Sequence, residues 1–230
     1  MVQFTFKICI LGDGGVGKTT LVQRFVDSRF NGSTKMTIGV DIASKIVKID
    51  DLTISLQIWD FGGEERFRFF LPSYAAGSFG AVFVYDITRI ATLQNLQDWL
   101  ALFYKGVGPH EAPIPILMVG AKLDLAEKRN VDISFAKEIS KNYGFFDVIE
   151  CSSKTGDNVE SIFQLITREI LKAHNIKAEE LKVSILQIET PSEAKMHDIV
   201  EEERKEYISK PTKKRALISF IYKIFKRSKQ

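Results

Sequence analysis

The chain has 230 residues, 45% hydrophobic, 27% charged and 11% aromatic, which supplies one sizeable core and excludes disorder throughout. Its net charge of +3 conceals an asymmetry: residues 1–173 carry 19 Lys or Arg against 20 Asp or Glu, whereas residues 174–230 carry 13 against 9. A near-neutral domain therefore precedes a basic appendage, which points to an acidic partner surface.

Residues 4–11 form a short β-rich run that ends in Gly12-Asp13-Gly14-Gly15, and residues 20–27 carry helical apolar spacing through Leu21, Val22 and Phe25. The order is strand, glycine loop, helix. Residues 41–49 and 52–59 alternate apolar and polar side chains around Asp50-Asp51, predicting an antiparallel hairpin with one covered face. Residues 80–86, 114–121 and 146–151 are continuous apolar runs, expected as strands buried on both faces. Helices are expected over residues 93–104, 134–143 and 159–173. Alternation of this kind predicts a three-layer α/β domain over residues 1–173, with a mostly parallel six-stranded sheet. A charged linker (174–206) and a basic amphipathic segment (207–230) would follow. Cys9 and Cys151 stand at no metal-ligand or Cys-x-x-Cys spacing and are expected as buried thiols. The start of the chain meets Gly12 and Asp13 too early for a signal peptide, and no apolar run reaches 18 residues, so a cytoplasmic protein is expected.

Gly12-Asp13-Gly14-Gly15-Val16-Gly17-Lys18-Thr19 matches Gly-x-x-x-x-Gly-Lys-[Ser/Thr] at a strand-to-helix junction. Glycines let the backbone wrap a phosphate with its N–H groups aimed inward, and the helix adds its positive N-terminal end. Residues Gly14 to Thr20 would cradle the nucleotide phosphates, with Lys18 on the β- and γ-phosphates and the Thr19 hydroxyl on Mg²⁺. A second stretch, Trp59-Asp60-Phe61-Gly62-Gly63-Glu64-Glu65-Arg66-Phe67, begins at a strand end. Asp60 there can orient a magnesium-bound water, and Gly63 can offer its N–H to a γ-phosphate.

These two stretches, with Thr37-Ile38-Gly39-Val40-Asp41, Val84-Tyr85-Asp86-Ile87-Thr88, Lys122-Leu123-Asp124 and Cys151-Ser152-Ser153-Lys154, occur in the order and spacing of a small GTPase. Over about residues 4–173 the chain resembles the Ras superfamily, and its Rab branch in particular. The resemblance implies a P-loop GTPase fold, GTP or GDP with Mg²⁺ as ligands, and hydrolysis of GTP. It gives Thr37 the role of second metal ligand beside Thr19, with Asp60 supporting the ion. Phe30 and Lys122 would pack on guanine, Asp124 would accept from its N1–H and N2 amino group, and Ser153 and Lys154 would complete the base pocket. Switch I would end at Thr37 and switch II would span residues 62–76. An effector protein would read both, and an exchange factor and a GTPase-activating protein are implied as further partners.

Two departures stand out. Glu64 replaces the usual glutamine that positions water; a carboxylate only accepts hydrogen bonds and adds negative charge beside a triphosphate. Ala121 replaces the asparagine that ties the base-binding loop to the phosphate loop. Faster nucleotide exchange and slow intrinsic hydrolysis are the expectations, with a non-hydrolysing GTP-bound scaffold as the alternative. In the tail, Leu217, Ile218, Phe220, Ile221, Ile224 and Phe225 fall on one helical arc opposite Lys223, Lys226 and Arg227. Such a helix could rest on an anionic membrane surface from the cytoplasmic side in place of a prenyl group, pack on its own domain or fill a partner's groove. No nucleic-acid partner is expected, since base-stacking aromatics arranged on a sheet or loop are missing.

Overall fold

The computed structural model describes residues 2–30, 36–110 and 112–176. Both expected C-terminal segments lie outside the described residues, apart from residues 174–176. β1 (Phe4–Leu11) leads through the glycine loop into α1 (Lys18–Asp27), and β2 (Val40–Ile49) and β3 (Leu52–Phe61) form the hairpin. A 3-10 turn at Glu65–Phe70 is followed by α2 (Leu71–Ala75), β4 (Gly80–Asp86), α3 (Ala91–Gln94), α4 (Leu96–Val107) and β5 (Ile116–Ala121). A second 3-10 segment at Leu123–Lys128, then α5 (Ile133–Asn142), β6 (Asp147–Cys151) and α6 (Val159–Ala173), complete the order.

The six strands lie in the order β2-β3-β1-β4-β5-β6. All neighbours are parallel except β2 and β3, whose hairpin register sets Val40 against Phe61 and Ile49 against Leu52. In this register Ile10 lies beside Asp60 and Val82, and Ala121 beside Asp86 and Cys151. The loops leaving the carboxyl ends of five strands are thereby brought to one edge of the sheet, where open α/β sheets form their binding crevice.

One face of the sheet, through Phe6, Ile8, Ile10, Val82, Val84, Leu117 and Val119, packs on Leu21, Val22 and Phe25 of α1 and on Ile162, Phe163, Ile166 and Ile170 of α6. The Phe25 and Phe163 rings stack at 3.7 Å and 14°. Because side chains alternate along a strand, Phe83 and Tyr85 point to the other face. Phe83 meets Phe145 at 6.2 Å there. α4 buries Leu96, Trp99, Leu100 and Phe103.

Three expectations need correction. The helix expected over residues 93–104 is two helices, α3 and α4, separated by Asn95 with φ −91° and ψ 8°. The fifth strand starts at Ile116 rather than residue 114, because Pro113 and Pro115 cannot donate to a ladder; the Pro115 carbonyl instead accepts from the Ala81 N–H at 3.0 Å. β6 is not buried on both faces. It is an edge strand, with Asp147 exposed and Val148 to Glu150 half-buried.

Candidate nucleotide site

The glycine loop wraps the start of α1, and Gly12, at φ 132°, passes so close to Val84 that a Cβ would penetrate its carbonyl oxygen. Only glycine combines that backbone angle with that approach. Lys18, 5% exposed, folds its ammonium back over the loop and donates to the Gly12 carbonyl at 2.7 Å and the Asp13 carbonyl at 2.9 Å. Burial pushes the Lys18 amine down to about 8, against the pull of Asp60 and Asp13. An amine desolvated this way gains from any anion placed in the loop, since a phosphate would favour its charged form.

Beside Lys18, three oxygen-bearing side chains from three segments converge. The Thr19 hydroxyl donates to Asp60 Oδ2 and lies 2.6 Å from the Thr37 hydroxyl, which itself lies 3.5 Å from Asp60 Oδ2. Asp60 is 2% exposed, and burial pushes its carboxyl up to about 6, against Lys18 and the Thr19 hydrogen bond. Its second oxygen, Oδ1, is buried with no hydrogen-bond partner among the described residues. A buried carboxylate oxygen without a donor costs free energy unless a cation or water meets it. Two hydroxyls and one such carboxylate are hard oxygen donors, so the residues present fit Mg²⁺.

The phosphate loop and these oxygens lie on one side of a cavity of about 510 Å³ lined by Gly14, Gly15, Val16, Gly17, Lys18, Thr19, Thr20, Phe30, Thr37, Gly63, Glu64, Lys122, Asp124, Ser153 and Lys154, with Met36, Ala121 and Leu125. The structure therefore brings the residues expected at the nucleotide to one crevice, with Asp60 behind it against Thr19 and Thr37. Gly63 presses on the loop: a Cβ there would overlap the Asp13 carbonyl and Lys18 Nζ. Where Lys122, Asp124, Ser153 and Lys154 line the cavity, Asp124 Oδ1 accepts from Ser152 Oγ at 2.7 Å. Lys122 does not point its ammonium at open solvent but pairs with Asp86 Oδ2 at 2.6 Å. Burial of Asp86 would raise its carboxyl, yet the donors on Lys122, Thr88 and Arg89 outweigh it and hold the group below the ordinary carboxylate range. Glu64 is half-exposed, with Oε2 3.6 Å from Arg66 Nε, while Arg66 also reaches the Met36 sulfur at 3.7 Å.

Sequence reasoning missed a second set of contacts. Asp13, inside the glycine loop, accepts from Arg68 Nη2 at 2.8 Å and from Trp99 Nε1 at 2.9 Å on Oδ1, and from Asn95 Nδ2 at 2.9 Å on Oδ2. Trp99, buried on α4, carries one of these hydrogen bonds. An acidic residue among loop glycines was the signal; a buried indole that needs an acceptor was the other.

A P-loop with its lysine at the carboxyl edge of a mostly parallel sheet, a threonine–aspartate cluster beside it and an acidic base-end loop together define a P-loop nucleotide-binding protein of the GTPase fold. The family model for the Ras family matches residues 7–172. The chain is 39% identical to the Ras-related protein YPTC6 of Chlamydomonas reinhardtii over 169 residues, 73% of this chain and 76% of that protein. It is 35% identical to the Ras-related protein Rab-19 of Bos taurus over 174 residues and 34% identical to that of Rattus norvegicus over 175, in both cases 76% of this chain and 79% of the relative. The chain belongs to the Ras superfamily of small GTPases, in its Rab-like branch. Family membership supports a GTP- and GDP-binding switch with GTP hydrolase activity and Mg²⁺ as its metal.

Proposed function

We propose that the cavity holds GTP or GDP with its phosphates in the loop of residues 12–19 and its base between Phe30, Lys122, Asp124 and Ser153-Lys154. The observation that carries the reading is the convergence of Thr19, Thr37 and Asp60 beside the phosphate loop, where both hydroxyls reach Asp60 Oδ2 and the buried Oδ1 has no partner among the described residues, a set of hard oxygen donors suited to Mg²⁺. Guanine is the base whose adjacent N1–H and N2 amino donors match the Asp124 carboxylate; adenine presents a different edge.

Thr19, Thr37 and Asp60 would hold Mg²⁺, which supplies positive charge to the phosphates when bound. Water attacks the γ-phosphorus in line with the departing GDP oxygen. Lys18 and the loop N–H groups stabilise the charge that develops on the phosphoryl oxygens. Glu64, as a carboxylate, can accept a hydrogen bond from water but has no hydrogen to donate toward the phosphoryl group, which makes intrinsic turnover slow. Loss of the γ-phosphate would free Gly63 and Thr37 and relax residues 30–40 and 62–76. Exposed Met36, Ile38, Ile42 and Phe69 on and beside those segments give an effector an apolar surface to read.

No helix among the described residues is long and apolar enough to cross a membrane. Attachment of the Rab-like chain to an anionic membrane surface is assigned to residues 207–230, on the strength of their amphipathic pattern. Equal liposome flotation with and without those residues would defeat that part of the reading. The central test loads purified protein with GTP and Mg²⁺ and follows bound nucleotide under single-turnover conditions. Bound GDP appearing over minutes to hours supports a self-resetting switch. GTP that stays intact favours the second reading, a constitutively GTP-bound marker, which Glu64 keeps in play. A chain that retains no nucleotide refutes both.

A further inference from the structure

The two loops that grip opposite ends of the nucleotide must be fixed to one another, or the ligand escapes by their separation. At the end of β5 that connection lacks a polar side chain: Ala121 offers only a methyl group, 4.0 Å from where a Cβ on Gly17 would stand. Yet the base-end loop and the phosphate loop are joined by a different route. Lys122 Nζ lies 2.6 Å from Asp86 Oδ2, Arg89 Nε donates to the same oxygen at 2.9 Å, and Arg89 Nη2 donates to the Gly14 carbonyl at 3.3 Å. Asp86 is fully buried, and its Oδ1 is taken by the Thr88 N–H at 2.9 Å and the Thr88 hydroxyl at 2.7 Å. The carboxylate therefore has donors on both oxygens and cannot swing away without leaving a buried charge unpaired.

We propose that Arg89 and Asp86 are positioning residues for nucleotide retention, forming a charged bridge from Lys122 to Gly14 that takes over the tether Ala121 cannot provide. The proposal rests on the reading of the cavity as a guanine-nucleotide site. Arg89 is the adjustable member, because its side chain is 46% exposed whereas Asp86 is sealed. Exposure also makes the bridge sensitive to salt, since ions screen an exposed guanidinium far more than a buried one. An asparagine at position 121 would connect the loops without charge, so the two tethers are interchangeable in kind.

The test follows release of a fluorescent GDP analogue from the full-length chain with Mg²⁺. Arg89→Met, which keeps an apolar stem, should release nucleotide about fivefold faster, the loss of one partly exposed charge-assisted link. Ala121→Asn placed in the Arg89→Met background should restore slow release, a rescue that mere structural damage by Arg89→Met would not allow. In the unsubstituted chain release should accelerate as salt rises, and Ala121→Asn should blunt that dependence, so a readout remains even if Arg89→Met folds poorly. Tight binding by the unsubstituted chain with release unchanged in Arg89→Met, or with no rescue by Ala121→Asn, overturns the bridge while leaving the nucleotide site standing. Failure of the unsubstituted chain to bind the analogue at all overturns the site and the bridge together.

Discussion

Arg68 and Asp13 form an ion pair of 2.8 Å in which the two side chains are only 12% and 16% exposed. It ties the 3-10 turn after β3 to the phosphate loop. The guanidinium also lies over the Trp99 ring at 4.9 Å, and Trp99 and Asn95 donate to the same carboxylate. One carboxylate thus holds the loop, the turn and α4 in mutual register.

Removing one partner of so enclosed a pair leaves a charge with little water to solvate it. Arg68→Ala is expected to lower unfolding stability by about 3 kcal/mol, and Asp13→Ala by a similar amount. The double variant should lose much less than the sum, giving a coupling energy above about 1 kcal/mol. Denaturant unfolding of the four proteins measures this directly, and additive losses would show that the two residues act independently.

With Asp60 at the proposed metal site, metal binding is expected to depend on pH. Its carboxyl in the metal-free protein is pushed up to about 6 by burial, with Lys18 and Thr19 opposing, and a metal binds the ionised form. Above about pH 7 there is no proton to displace, so apparent Mg²⁺ affinity should be flat; as pH falls through 6 it should drop, approaching tenfold per unit. The folded, metal-free chain holds this proton more tightly than the unfolded one, whose carboxyl stays near 3.8. The stability it lends is therefore complete below about pH 4 and lost as pH rises through 6. Titrating Mg²⁺-dependent nucleotide retention from pH 5 to pH 8 checks the first expectation. An affinity that does not change across that range would remove Asp60 from the metal's surroundings.

What the sequence made legible followed from how local each signal is. The glycine loop and Lys18-Thr19 are contiguous, so their geometry could be anticipated from the residues themselves. Asp60 and Thr37 are far from Thr19 in the chain; Asp60 is read as a metal residue from its strand-end position together with the phosphate loop, and Thr37 only through the family resemblance. The Asp13 cluster draws on Arg68, Asn95 and Trp99 from separate elements, and no spacing rule links them. The same holds for Asp86, which reads as a strand-end residue until folding brings Lys122 and Arg89 to it. Asn95 divides a helical pattern without any proline or glycine to announce the break, so periodicity alone carried the expected helix straight across it.

The stacked pair Phe25 and Phe163 holds α1, and with it the phosphate loop, against α6. Both rings are at most 1% exposed, and truncation would leave a cavity between two helices that the sheet prevents from collapsing. Phe163→Ala should cost about 3 to 5 kcal/mol, and Phe163→Leu, which keeps more of the volume, distinctly less. Chemical denaturation with an unchanged dependence on denaturant is the appropriate measurement. If Phe163→Ala cost under about 1 kcal/mol, α6 would not be what fixes the start of α1.

Glu64 stands at the cavity rim beside Gly14, with its other oxygen turned toward Arg66. The Arg66 contact is 3.6 Å and both side chains are substantially exposed, so it offsets the carboxylate's charge only weakly. A triphosphate entering the loop meets that charge, and the transition state, whose phosphoryl oxygens carry more of it, gains no donor from the side chain. Glu64→Gln removes the charge and adds an N–H donor while keeping length and shape. Single-turnover GTP hydrolysis should then accelerate about tenfold, the equivalent of roughly 1.4 kcal/mol of added transition-state stabilisation. GDP release, which involves no γ-phosphate, should be unaffected. An unchanged hydrolysis rate would mean that Glu64 does not face the reacting water, and that slow turnover, where observed, arises from another part of the site.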